Sequence, residues 1–207
     1  GSTARIKEVK IIGVTNFGED DILSRLDLKP TNFMSWWNKD DRYSRQVLTG
    51  DLEKIRSFYM NRGYLDFEIG NTTVSISETK KNVYIAIVID EGDKYKFGDI
   101  KISGKFYPLK EESIFQNDIK TIKGEVFSRK LLNQSTESIN QELGNYGYAF
   151  SNVNPIPDVD KTNLTVGFNY FIEPGKKVYV RRISFIGNEK TQDKVLRREM
   201  RQFESSY

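Results

Sequence analysis

The chain has 207 residues, 37% hydrophobic and 29% charged, with a formal net charge of +3. That length and apolar content fit two domains of roughly 80–100 residues with a remainder, and they favour a globular over a disordered chain. Histidine and cysteine are both absent, which removes Ser-His and Cys-His pairs, zinc-histidine sites and disulfides from this sequence.

Carboxylate chemistry survives that filter, but the acidic clusters at 18–21, 39–41 and 110–112 lack calcium-loop spacing, and no Gly-rich phosphate loop is present. The expectation is therefore no enzyme activity, no catalytic residue, no metal and no cofactor. The longest apolar run, VYIAIVI at 83–89, is far short of the ~18 residues a helical membrane span needs.

In chain order, an alternating stretch, VKIIG (9–13), reads as an opening strand and is followed by a short helix around Asp20–Leu26. After a long loop at 30–44, Leu48, Leu52, Ile55 and Tyr59 line one face of a longer helix. It runs into Gly63-Tyr64, where glycine suits a left-handed C-terminal cap and the tyrosine can fold back onto the last turn. Then TTVSIS (72–77), a polar turn at 78–82 and VYIAIVID (83–90) read as a strand pair.

The same order recurs. IKISG (100–104) opens a second unit, a short helix is expected at Glu112–Lys120, and Leu132, Thr136, Ile139 and Leu143 repeat the helical stripe up to Gly147-Tyr148. PDVDKTN (157–163) reads as a turn before a strand in which Leu164, Val166, Phe168, Tyr170 and Ile172 alternate with other residues. RISFIGN, ending at 188, starts a third unit that the chain does not complete.

Serial β-α-α-β-β units with RGYLDF (62–67) and YGYAF (146–150) after the long helices, and EGDKYKFGDIKISG (91–104) and EPGKKVYVRRISFIGN (173–188) at the joins, resemble POTRA domains. The loop from Ser35 to Tyr64 and the closing VLRREMRQFE (195–204) are similar to the POTRA arm of the outer-membrane β-barrel assembly machinery. In that arm the units correspond in order to the third domain, the fourth and the start of the fifth. The resemblance implies an α+β fold of tandem POTRA repeats, each a three-stranded mixed sheet covered on one face by two helices. The expected domains are 5–92, 93–175 and a truncated start of another at 176–207.

What the resemblance implies for function is a periplasmic scaffold, part of an outer-membrane protein of a Gram-negative bacterium whose full length carries a membrane barrel. Its partners would be unfolded outer-membrane β-barrel proteins and accessory lipoproteins. A sheet edge offers unpaired N–H and C=O groups to an extended segment, by β-augmentation. By resemblance the receiving edge is the strand Glu68, Ile69, Gly70, Asn71, Thr72, Thr73, Val74, Ser75 and Ile76, in which Gly70 either marks a bulge or is simply a flexible or closely packed glycine.

For the lipoproteins, the resemblance singles out Glu199 with Arg197 and Arg198, against solvated charge as the plainer reading. Leu26 and Leu28 are weaker contacts, competing with packing inside their own domain. Trp36-Trp37 is read as core of its own domain rather than as a partner anchor. Basic residues at 176, 177, 181, 182, 190, 194, 197, 198 and 201 outnumber the acidic 189, 193 and 199, a surface for barrel, lipid or partner.

Two alternatives remain open. One is a POTRA arm of a related transporter or secretion protein. The other is a basic nucleic-acid-binding repeat protein, opposed by the near-neutral total charge and the missing aromatic-basic RNA motif; no nucleic-acid partner is expected.

Overall fold

A computed structural model describes residues 4–30, 36–37, 42–105, 115–179, 183–184, 186 and 193–199. Contacts divide the chain into two compact units, residues 1–99 with 121–131 and 158–167, and residues 100–120 with 132–157 and 168–207. No helix among the described residues is long and apolar enough to cross a membrane.

The first sheet has the order β2-β1-β4-β3, built from β1 (Ala4–Ile12), β2 (Trp36–Trp37), β3 (Glu68–Ile76) and β4 (Asn82–Asp90). β4 pairs parallel with β1 and antiparallel with β3, so the sheet is mixed as expected. β4 is central because its sequence supplies Val83, Ile85, Ile87 and Ile89 on one face, all buried. α1 (Glu19–Leu23) and α2 (Arg42–Met60) place Ile22, Ile55, Phe58 and Tyr59 in the same apolar cluster, against which Leu48 and Leu52 also pack. Burying each such side chain is worth about 1.5–3 kcal/mol. The other face of β4 leaves Tyr84 and Val88 exposed.

One departure from the three-stranded expectation lies in the long loop. Trp36 and Trp37 add a two-residue strand antiparallel to β1, opposite Arg5 and Ala4. Trp37 is buried in the core, as its reading from sequence required, while the Trp36 side chain lies outside the described residues.

In the second repeat, β5 (Lys96–Gly104), β6 (Asn152–Asp160) and β7 (Thr165–Glu173) form a sheet of order β5-β7-β6. α3 (Arg129–Asn145) buries Leu132, Ser135, Ile139 and Leu143. Along β7, Val166, Phe168, Tyr170 and Ile172 are buried, which matches the alternation read from the sequence. Gly167 is buried too, because a Cβ there would stand 2.8 Å from the Asp99 carbonyl oxygen of β5.

Two local expectations are corrected. The turn expected at 157–163 begins later, since β6 continues to Asp160. Asp160 Oδ1 accepts the N–H groups of Thr162 and Asn163, both at 3.0 Å, so the side chain that closes the turn stands at its start. The helix expected at Glu112–Lys120 is not an α-helix over its described part. Residues 115–118 form a tight turn with the Asp118 N–H donating to the Phe115 carbonyl at 3.0 Å, 119–120 have no regular structure, and 112–114 lie outside the described residues. α4 (Asp193–Glu199) is the last described element.

Both long helices end the same way. Gly63 and Gly147 have φ of 104° and 89°. The N–H groups of Tyr64 and Tyr148 donate back to the carbonyls of Tyr59 and Leu143 at 3.2 and 3.0 Å, the long bond of a Schellman cap. Tyr64 meets Tyr59 edge-on, 5.5 Å between ring centres. The glycine carbonyls are used as well, accepting from Tyr95 N–H and Val178 N–H, each at 2.8 Å. The repeated Asn-x-Gly-Tyr is therefore a helix stop whose carbonyl also ties down the strand or segment that follows the join.

Candidate strand-docking edge

The first sheet has two outer strands, and they differ in chemistry. On the β1 side, β2 covers Ala4 and Arg5, and Glu19 at the start of α1 takes the Ile11 N–H on its Oε1 at 2.8 Å. Backbone groups at both ends of β1 are thus engaged. On the other side, β3 is the terminal strand, with no neighbour beyond it among the described residues.

Which groups of β3 face outward follows from its pairing. Ser77 N–H donates to the Asn82 carbonyl at 2.9 Å, and the register places Ile76 opposite Val83, Ser75 opposite Tyr84, Val74 opposite Ile85 and Thr73 opposite Ala86. Antiparallel residues alternate between bonding to the partner strand and away from it. Ser75 and Thr73 therefore share the inward phase of Ser77, while Thr72, Val74 and Ile76 turn N–H and C=O to the free side. Their side chains share the face of Val83, Ile85 and Ile87, the buried one.

The register shifts between Ile69 and Thr72, where β3 spends three residues against two on β4. Ile69 and Val74 both pack on the core, and the extra residue corrects the phase between them. Gly70 lies in this bulge, yet a Cβ there would make only ordinary contact, 3.5 Å from the Val88 carbonyl oxygen. The bulge does not depend on glycine.

Both repeats also carry buried polar contacts that the sequence did not signal. Glu91, 5% exposed, accepts from the backbone N–H and hydroxyl of Thr15 and from the backbone and side-chain N–H of Asn16. Burial opposes its charge, but these bonds outweigh it and hold the carboxyl below its ordinary value. Asp51, fully buried in α2, accepts the N–H groups of Asp27 and Leu28 at 2.9 and 2.8 Å and pairs with Lys54 at 3.1 Å. Ser135, also fully buried, does the equivalent in α3, accepting the Lys120 N–H at 2.7 Å. In each repeat one polar side chain of the long helix pins the segment before it. Nothing in apolar periodicity marks such a residue, and only the break at a buried helix position could have.

Of the residues singled out from sequence, Glu68–Ile76 form one continuous strand at a sheet edge. Leu26 and Leu28 are 2% and 4% exposed and pack in the first core, so their side chains offer no surface to a partner, which corrects the contact expected of them. Arg198 in α4 is exposed; the side chains of Arg197 and Glu199 lie outside the described residues.

The POTRA family model, described as a surface antigen variable number repeat, matches residues 4–92 and again 95–175. The chain is 34% identical over its whole length to the outer membrane protein assembly factor BamA of Buchnera aphidicola, and 30% identical to that of Neisseria meningitidis. It spans 33% and 26% of the lengths of those two proteins. Among solved structures, the POTRA3-5 fragment of Haemophilus influenzae BamA superposes with a TM-score of 0.79 at 25% identity, over the whole of this chain and 80% of that one. BamA of Haemophilus ducreyi lacking POTRA domains 1-3 shares the fold, with a TM-score of 0.63 at 18% identity over 85% of this chain and 30% of that one. Two consecutive matches to the family model, taking in most of the residues, carry the conclusion that this chain belongs to the POTRA family.

Proposed function

We propose that this chain is the strand-receiving part of a periplasmic scaffold in an outer-membrane protein assembly factor, and that an unfolded outer-membrane protein docks along β3 by β-augmentation. The observation that carries this reading is the asymmetry of the first sheet: β1 is closed at both ends, whereas β3 offers Thr72, Val74 and Ile76 to the free side. Main-chain pairing supplies affinity without reading sequence, which suits a receiver of diverse clients. Selectivity enters through the phase. Client residues bonding to Thr72, Val74 and Ile76 lie on the core-facing side, beside Ile76, which is 44% exposed, and gain by being apolar; their neighbours lie on the polar side. An alternating barrel strand has that pattern. Binding, with no catalysis, is the role, and the full-length protein would supply the membrane barrel.

The comparisons support the setting through the relatives' names as outer membrane protein assembly factors. In this reading α4, with Arg197, Arg198 and Glu199, is where an accessory lipoprotein docks. The test is a titration of an alternating valine-threonine peptide with terminal lysines into isotope-labelled protein, following backbone amides by NMR. Shifts concentrated on 68–76 are expected. Shifts confined to the segment from 176 onward, or none, would move the function away from the edge.

A further inference from the structure

The second sheet also ends in outer strands, and β6 has the sequence Asn-Val-Asn-Pro-Ile-Pro-Asp-Val-Asp, with Pro155 and Pro157 two residues apart. β6 and β7 are adjacent and joined by a four-residue turn at 161–164, so they run antiparallel. Residues two apart on such a strand direct their main-chain groups to the same side. A proline has no N–H, and a strand keeps its ladder only if the missing donor faces away from its partner. β6 is an unbroken strand through both prolines, so the phase of Pro155 and Pro157 is the outward one. That is the phase in which β3 presents Thr72, Val74 and Ile76.

The opposite edge of this sheet is partly occupied as well. Phe97 of β5 donates its N–H to the Glu125 carbonyl and accepts the Gly124 N–H, both at 2.8 Å, and Lys96 bridges Val126. Three of the four sheet edges thus carry a blocking device of their own: β2 and Glu19 beside β1, the 124–126 segment on β5, and prolines on β6.

We infer that Pro155 and Pro157 are specificity-determining residues that close the β6 edge to extended chains, so that a client strand is confined to β3 and the described chain takes one strand rather than two. The inference rests on the β-augmentation reading for its occupant, an extended alternating segment. The exclusion is a property of β6 alone. Proline is one of the devices by which sheets protect exposed edges, and here it separates two repeats that share one fold.

The experiment uses the whole chain and the same valine-threonine peptide, comparing wild type with Pro155→Thr/Pro157→Thr and with the single Pro157→Thr, whose site is exposed. Amide spectra report both folding and the location of binding. The expected result is one peptide per chain for wild type, on 68–76, and two for the double variant, the second on 152–160. The single variant, which restores one outward N–H, should gain a weaker response on 152–160. Binding by wild type along 152–160, or no gain there in either folded variant, overturns the inference. A gain on 152–160 with no response on 68–76 in any protein upholds the proline block and instead defeats the reading of β3 as the client edge.

Discussion

At Gly63, two constraints coincide. Its φ of 104° lies where a side chain is strained, and a Cβ would stand 2.8 Å from Lys94 Cγ and 2.9 Å from Val126 Cγ1. Gly147 shares the backbone constraint, but its nearest neighbour, Lys177 Cε, is 3.2 Å away. Gly63→Ala should cost about 2–4 kcal/mol and Gly147→Ala about 1–2 kcal/mol, an ordering that urea denaturation checks. Tyr59 makes the opposite case. Its ring stacks on Phe67 at 4.5 Å, while its hydroxyl is buried with no hydrogen-bond partner among the described residues. Tyr59→Phe removes only that unsatisfied group, so stability should hold or rise by up to about 1 kcal/mol; a loss above that would mean the hydroxyl has a partner.

Glu91 gives the pH dependence at this scale. Its folded-state value is lowered from the ordinary 4.5, burial being outweighed by the bonds from Thr15 and Asn16. A depressed carboxylate contributes stability that is complete above the unfolded value and is lost as pH falls through the folded one. Wild type should therefore lose stability on acidification from pH 5 downward more steeply than Glu91→Gln, measured by thermal melts across that range. Parallel curves would contradict the assignment. In the sequence Glu91 reads only as the start of the join at 91–104, because a loop partner 75 or 76 residues away leaves no local pattern.

At the scale of elements, the helices were legible where a stripe of apolar residues met a glycine stop. Leu48, Leu52, Ile55 and Tyr59 gave α2, and the same spacing gave α3. β4 and β7 were legible for the same reason, as one-face-buried strands. Most of β3 was legible in the alternation at 72–77 and its edge role came by resemblance, but its bonding phase was not legible, since phase is fixed by the Ser77–Asn82 bond and by a bulge whose position depends on β4. Two tests follow from that phase. Gly70→Ala should change stability by less than about 1 kcal/mol, because the bulge leaves ordinary space for a Cβ, and peptide binding should persist. Val74→Pro removes an outward N–H without breaking a bond to β4, so peptide affinity should fall at least about tenfold, one lost hydrogen bond with added steric block, while the amide spectrum of the core remains. Retained affinity in the proline variant would deny that the strand adds at this edge.

For the molecule as a whole, the proposed function turns on how two copies of one fold are differentiated at their edges. The repeat is visible in the sequence as twin Gly-Tyr stops, and the prolines of β6 are visible too, but Pro157 also fits a turn starting at 157. A strand's edge position is a property of sheet order, which no single segment encodes. Charge discriminates between the remaining classes of partner. With a net charge of only +3, main-chain docking should change less than about threefold in affinity between 50 and 200 mM salt, whereas a protein neutralising several phosphates loses about 10³ or more over that range.

The most direct test of the central claim is an N-methyl scan of the docking peptide, measured by calorimetry against the whole chain. Methylating alternate amides in one phase removes the donors that would pair with β3; methylating the other phase leaves those donors intact. The account predicts that one phase loses binding by at least about tenfold, as expected for several broken main-chain bonds, and that the other binds as the parent does. Equal effects in the two phases would contradict β-augmentation and leave β3 as an ordinary outer strand.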